Sequence, residues 1–128
     1  MLNGSNTIAA VSTAPGAGGI GVVRISGPLA LEIGQKISGA TLLARVAHFH
    51  NFKDLNGTLI DQGLILFFSA PNSFTGEDII ELQCHGGTVV TQSILNFCLK
   101  NGAKLAEPGD FTKRAYLNNK IDLAQAES

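Results

Sequence analysis

The sequence predicts an α+β domain in which helices pack on a mixed β-sheet, and three observations support this prediction. The predicted elements follow one another in the order strand, strand, helix, hairpin, strand, helix, strand. Residues 79–85 alternate between apolar and polar side chains, as in a half-buried strand. Residues 88–100 instead repeat apolar side chains at helical spacing, which indicates a helix with one buried face.

The first half of the chain predicts two strands followed by a helix. The strands are residues 7–11 and 20–25, and a Gly-rich loop at 13–19 joins them. The helix is expected to start at Ser26-Gly27-Pro28, with Pro28 at the first helical position, where its missing N–H costs nothing. It is expected to end at Gly39 in a left-handed cap.

The second half predicts a hairpin, a further strand and two helices. Asn56-Gly57 is a hairpin signal because both residue types tolerate positive φ. The predicted strands are 45–53, 58–68, 79–85 and 104–106, and the predicted helices are 88–100 and 111–117.

One more helix is expected to start near Asp122, where Asp122 and Gln125 resemble a capping box, and it reaches Ser128 without a stop signal. We therefore expect the chain to be the N-terminal part of a longer protein. Residues 1–118 are predicted to form one domain, and residues 119–128 the start of a second, helical domain.

Composition excludes several classes of protein. The 128 residues are 45% hydrophobic and 15% charged, which excludes a disordered chain. A net charge of −1 argues against an extended nucleic-acid-binding surface. Two cysteines exclude a disulfide scaffold and indicate a reducing compartment. No apolar run is long enough for a membrane span and no signal peptide is evident, so we expect a cytoplasmic protein that does not contact membranes.

Residues 16–21 match the G-x-G-x-x-G pattern of dinucleotide-binding loops. A β-branched run follows the motif where a helix would be needed, and no acidic residue lies about 20 positions further on. A nucleotide-dependent oxidoreductase is therefore the least favoured class. The loop is either a turn between two strands or a loop that lines a ligand site.

Glu81 is the most unusual residue because it lies in the middle of an apolar strand. It either belongs to a solvated face with Ile79, Gln83 and His85, or it lines a pocket. In a pocket, a carboxylate can accept two parallel N–H bonds from an aminopyrimidinone ring such as a pterin.

Other candidate residues carry weaker signals. Arg24 is either an ordinary strand-end charge or, next to the Gly-rich loop, a partner for a carboxylate. Lys113, Arg114 and Lys120 are expected to form a solvated basic helix face. His48 and His50 share one strand face, but no third ligand has a recognisable spacing, so we expect no metal site. Cys84 is expected in the core, and no spacing indicates catalytic residues.

Three long segments show a resemblance to a known family. They are TIAA and APGAGGIGVVRISG at 7–10 and 14–27, PNSFTGED and ELQCHGG at 71–78 and 81–87, and PGDFTKRAYLNNKIDLAQAE at 108–127. Together they closely resemble the N-terminal domain of the tRNA modification GTPases called MnmE or TrmE. The resemblance is weak only at 40–58.

The resemblance implies a fold like one half of the folate-binding domain of the glycine-cleavage T-protein. It implies a homodimer that binds a tetrahydrofolate derivative, either 5-formyltetrahydrofolate or 5,10-methylenetetrahydrofolate. The folate would supply a one-carbon unit for C5 of the wobble uridine in certain tRNAs. The full-length protein would work on tRNA with an MnmG-type FAD protein. Its G domain, with potassium and magnesium, would lie outside this chain, which should not hydrolyse GTP.

By motif match, Arg24, Glu81 and Lys120 fall on the family's folate-contacting positions. Our hypothesis assigns Glu81 to the donor pair of the pterin, and Arg24 and Lys120 to the folate's negative charge. A dimerisation scaffold without bound ligand is the alternative.

Overall fold

The computed structural model describes residues 6–12 and 19–119. Within these ranges the elements are, in chain order, strands β1 (Ile8–Val11) and β2 (Ile20–Ser26), helix α1 (Ala30–Ser38), strands β3 (His48–Lys53), β4 (Leu59–Phe68) and β5 (Ile79–His85), helix α2 (Thr88–Lys100), strand β6 (Lys104–Leu105) and helix α3 (Asp110–Leu117). Residues 13–18 of the predicted Gly-rich loop and the helix predicted from Asp122 lie outside the described residues.

The strands form one six-stranded sheet in the order β3-β4-β5-β2-β1-β6. Neighbouring strands run antiparallel except β1 and β6, which run parallel. The prediction of an α+β fold with a mixed sheet is therefore confirmed. The centre of the sheet is the β2–β5 pair, in which Ile20 lies opposite His85 and Ser26 lies opposite Ile79.

Helices α1 and α2 pack on the same face of the sheet. Gly34 of α1 lies so close to Ile80 of β5 that an added Cβ would come within 2.8 Å of the isoleucine side chain. A Cβ added to Gly21 of β2 would come within 2.6 Å of the side chain of Thr91 of α2. Burial of apolar surface between these layers is the main source of stability. The fully buried core side chains include Val23, Ile25, Ile65, Ile80 and Leu82 of the sheet with Ile33, Ile37, Ile94 and Cys98 of the helices.

Helix α1 starts two residues later than predicted. Ser26 and Gly27 do not open the helix, because the pairing of β2 with β5 continues to Ser26 and keeps the chain extended there. Pro28 lies in the turn before Ala30, and the hydroxyl of Thr7 accepts the free N–H of Leu29 at 2.8 Å. The predicted C-terminal cap is confirmed, since Gly39 has a left-handed φ of 67°.

The predicted hairpin is present as β3 and β4, but its turn differs from the prediction. Gly57 has a positive φ of 83°, whereas Asn56 is not among the positive-φ residues of the described chain. Asp54 organises the turn instead, because its carboxylate accepts the N–H groups of Asn56 at 2.9 Å and Thr58 at 3.0 Å.

Strand β3 also begins later than predicted. Arg45 adopts a positive φ of 66°, which interrupts the extended chain, and Ala44 forms an isolated bridge with Phe67. Regular pairing with β4 starts at His48, opposite Ile65. The other predicted elements that lie within the described residues agree with the structure to within one residue.

Candidate functional site

The sheet face opposite α1 and α2 carries two rows of partly exposed side chains, which we call the open face. In one row Arg24 of β2, Glu81 of β5 and Leu66 of β4 lie side by side. In the next row Val22, Gln83 and Leu64 do the same. Leu64 is exposed and the other five are partly exposed. The open face therefore presents a polar centre with apolar neighbours.

The structure brings two of the predicted site residues together. Arg24 and Glu81 are cross-strand partners, and Nη2 of Arg24 donates to Oε1 of Glu81 at 3.1 Å. Their side chains are 32% and 19% exposed, so the ion pair is shielded only in part. Pairs of this exposure add little to stability. Lys120, the third predicted residue, lies outside the described residues.

Glu81 receives a second hydrogen bond on its other oxygen. Nε2 of Gln83 donates to Oε2 of Glu81 at 3.0 Å. Each carboxylate oxygen can accept two hydrogen bonds, so each keeps one acceptor position beyond those used by Arg24 and Gln83. The arrangement can therefore bind a group that offers two adjacent N–H donors. The apolar neighbours Val22, Leu64 and Leu66 suit a flat ring.

A second polar cluster, which we call the Glu77 clasp, closes one end of the open face. Oε1 of Glu77 accepts the Ser26 hydroxyl at 2.8 Å and Nη1 of Arg114 at 2.9 Å. The Ser26 and Thr75 hydroxyls lie 2.7 Å apart, and the Asn118 amide donates to the Thr75 carbonyl at 2.8 Å. The clasp thus ties the segment 73–77 to both β2 and α3.

Arg114 is a correction to the sequence analysis. We expected it on a solvated basic helix face, but its side chain is only 14% exposed and pairs with Glu77, which is 15% exposed. It also donates to the carbonyl of Asn6 at 2.6 Å. No periodicity connects residue 114 with residue 77. The one available signal was that both lie in segments that carry the family resemblance.

Asp61 and His85 form a further pair at the end of β5 nearest α2. The Nδ1 of His85 lies 2.8 Å from Oδ1 of Asp61, and Oδ2 of Asp61 accepts the backbone N–H of His85 at 2.8 Å. Burial raises the pKa of Asp61, but hydrogen bonds from the backbone N–H groups of His85 and Gln62 and from the His85 ring outweigh it. The net effect is a pKa below the usual 3.8.

The other two histidines contact each other, and the two cysteines lie in the core. The rings of His48 and His50 stack with centroids 5.9 Å apart, and Nε2 of His48 accepts the Leu43 N–H at 3.2 Å. Within 6–12 and 19–119, no three His, Cys, Asp or Glu residues are grouped so that they could hold a metal ion. Cys84 and Cys98 are buried, and desolvation raises their thiol pKa values to about 11 and about 12.

A cavity of about 540 Å³ lies elsewhere, between the β3–β4 turn and α2. Its lining includes Leu55, Ile60 and Phe97, together with Asp54, whose carboxylate accepts hydrogen bonds within the turn. The cavity does not include Arg24 or Glu81. The candidate binding site on the open face is therefore distinct from this cavity. In the described part of the chain, no helix has the length and apolar character needed to cross a membrane.

Fold and site together define an α+β domain with a carboxylate-centred candidate binding site on an open sheet face. The family model of the GTP-binding protein TrmE N-terminus matches residues 7–120, so the chain belongs to that family. The tRNA modification GTPase MnmE of Neisseria gonorrhoeae (strain NCCP11945) is 63% identical over 127 residues, covering 99% of this chain and 28% of the relative. The protein of the same name from Pseudomonas entomophila (strain L48) is 57% identical over 122 residues, covering 95% of this chain and 27% of the relative.

The resemblance predicted from the sequence is thereby confirmed. The chain spans little more than a quarter of the length of the curated relatives it matches. The matched residues include both members of the Arg24–Glu81 pair.

Proposed function

We propose that this chain binds a tetrahydrofolate derivative on its open face, as the N-terminal domain of a homodimeric tRNA modification GTPase. The observation that carries the proposal is the Glu81 carboxylate, 19% exposed and fixed beside Arg24 at 3.1 Å, in the middle of a face with apolar neighbours. A carboxylate held in this way matches a ring edge with two adjacent N–H donors. The pterin ring of a folate has such an edge.

The residues present fit the proposed ligand. The free acceptor positions of Glu81 would take the donor pair of the pterin, and Leu64 and Leu66 would contact its ring. Arg24 would interact electrostatically with negatively charged groups of the folate. By the match to the family's motif, Lys120 would have the same role. The bound folate, as 5-formyltetrahydrofolate or 5,10-methylenetetrahydrofolate, would supply the one-carbon unit. This chain's own residues bind and orient it.

The wider activity follows from family membership. The relatives carry the name tRNA modification GTPase. We propose that the full-length protein modifies C5 of the wobble uridine in certain tRNAs. It would act in the cytoplasm with an MnmG-type FAD protein and with potassium and magnesium in a G domain outside this chain. The chain alone would not hydrolyse GTP.

A dimerisation scaffold without a ligand is the second candidate. It is favoured by the fact that both Glu81 oxygens already accept a hydrogen bond from the chain itself. A nucleotide-dependent oxidoreductase is not supported, since the element after the Gly-rich loop is strand β2, antiparallel to β1, and not a helix.

Isothermal titration with 5-formyltetrahydrofolate, with NAD in a parallel cell, tests the proposal. We expect one folate per chain and no binding of NAD. Glu81→Gln should weaken folate binding by about ten- to a hundredfold, since a hydrogen bond to a charged group contributes about 1.5–3 kcal/mol. Glu32→Gln is the matched control, because Glu32 is an exposed carboxylate on α1 that pairs with Lys36 at 3.1 Å.

The outcomes separate the two candidates. Unchanged affinity in Glu81→Gln would show that Glu81 does not contact the ligand. Absence of folate binding by the parent protein would leave the dimerisation scaffold as the better account.

A further inference from the structure

Gln83 holds the Glu81 carboxylate from the side opposite Arg24. The two residues are separated by one position on β5, so their side chains lie on the same sheet face. Nε2 of Gln83 donates to Oε2 of Glu81 at 3.0 Å, while Arg24 donates to Oε1 at 3.1 Å. Each donor thus engages a different oxygen.

Two donors on two oxygens restrict the carboxylate in a way that one donor does not. The terminal torsion of a glutamate is broad and has no sharp staggered minima. A single bond to Arg24 would leave Oε2 free to rotate out of position. The second bond, from Gln83, fixes the plane of the group. The amide is uncharged, so it orients Glu81 without changing the net charge of the Arg24–Glu81 pair.

The surroundings of Gln83 favour this role over a packing role. Its cross-strand neighbours are Val22 on β2 and Leu64 on β4, both of which are apolar. The side chains of Val22 and Leu64 offer no hydrogen-bond partner, and the amide of Gln83 donates to Glu81 on its own strand.

We propose that Gln83 is a positioning residue that fixes the Glu81 carboxylate so that both of its oxygens meet a ligand edge with two adjacent N–H donors. The identity of that ligand as a folate rests on the function proposed above. Gln83 acts through Glu81 and selects for ligands that present the donor pair. It should therefore influence binding only of ligands that use both oxygens.

The experiment compares two ligands and three forms of the natural full-length protein. The ligands are 5-formyltetrahydrofolate and its 2-desamino analogue, which lacks one donor of the pair. The forms are the parent, Gln83→Leu and Gln62→Leu. Gln62 is a matched control because it is an exposed glutamine of the same sheet that donates to Asn51 at 2.7 Å.

We expect Gln83→Leu to weaken binding of 5-formyltetrahydrofolate by about five- to tenfold, the usual effect of one hydrogen bond. Binding of the 2-desamino analogue should change less than twofold. Gln62→Leu should leave both affinities unchanged. Thermal melting of each variant checks folding, and Gln83→Met replaces Gln83→Leu if the latter does not fold.

Each remaining result overturns the inference. Equal weakening of both ligands, or failure of both Gln83 variants to fold, would assign Gln83 a general structural role. Parent-like folate binding by Gln83→Leu would show that Glu81 needs no second donor, while leaving the proposed function intact. Absence of folate binding by the parent would overturn the proposed function and this inference together.

Discussion

At the scale of single residues, Asp61 shows how a partly buried carboxylate is stabilised in its charged form. Burial alone favours the neutral acid, but N–H donors from the backbone and from His85 reverse the balance. Because the pKa of Asp61 is lower in the folded chain than in the unfolded chain, the carboxylate stabilises the fold above the unfolded value of 3.8. This contribution is lost as the pH falls through the folded value.

We predict that in Asp61→Asn the free energy of unfolding depends less steeply on pH at acidic pH than in the parent protein. Urea unfolding between about pH 5 and pH 3 should show the parent losing stability more steeply than the variant. Glu32→Gln, which removes an exposed carboxylate, should keep the parent slope. Equal slopes for Asp61→Asn and the parent would contradict the hydrogen-bonding account.

Single residues also show how far the sequence predicts the site. Glu81 and Arg24 each stood out as a charge in or beside an apolar strand. Their contact could not be predicted, because it depends on the pairing of β2 with β5, which are separated by a helix and a hairpin. Gln83 carried no signal of its own. Its alternation pattern placed it on the same face as Glu81, but only the folded structure shows that its amide donates to that carboxylate.

At the scale of elements, the Glu77 clasp is what attaches α3 to the sheet. The helix has eight residues, and Ala115 is its one buried residue. Arg114 provides the polar attachment through Glu77 and the carbonyl of Asn6. Removal of the arginine would leave the Glu77 carboxylate, 15% exposed, without its cation.

We therefore expect Arg114→Ala to destabilise the protein by about 3 kcal/mol, the effect of breaking a largely buried pair from one side. Lys113→Ala is the control on the same helix. Since Lys113 is exposed, its replacement should cost less than about 0.5 kcal/mol. Chemical denaturation measures both values. Similar stabilities for the two variants would mean that the clasp does not hold α3.

Element types were largely predictable, but some boundaries were not. Periodicity identified the helices and the long strands because each has one buried face. The late start of α1 depends on the pairing of Ser26 with Ile79, and the late start of β3 depends on the positive φ of Arg45. The first is decided by a strand partner distant in sequence, and the second by a backbone conformation that residues other than glycine rarely adopt. Apolar patterns report neither.

At the scale of the whole molecule, one core lies between the sheet and the helices α1 and α2, and it contains both thiols. Cys98 is fully buried and Cys84 is 6% exposed. Desolvation raises the pKa of Cys98 to about 12 and that of Cys84 to about 11, so neither forms the reactive thiolate near neutral pH.

Alkylation with iodoacetamide at pH 8 should therefore leave Cys84 and Cys98 unmodified in the native protein and should label both in denaturant. Mass spectrometry of the two cysteine-containing peptides measures each site separately. Both sites should gain reactivity together as urea unfolds the chain. Rapid labelling of either cysteine under native conditions would show that the core opens locally at that position.

The strand order could not be derived from the sequence, although the mixed α+β class could. The parallel pairing of β1 with β6 joins two segments from opposite ends of the described chain. The central pairing of β2 with β5 also brings together segments that are far apart. Apolar patterns identify which segments are buried, but they do not specify which neighbours pair.

This strand order also matters while the protein is being made. At about 5–20 residues per second, seconds pass on the ribosome between the synthesis of β2 and that of β5. During that interval the β1–β2 hairpin has no strand on either side, since both of its outer neighbours are encoded later. Unpaired strand edges are templates for association with other chains. The nascent chain, and not the finished domain, is therefore the form of this protein most exposed to aggregation.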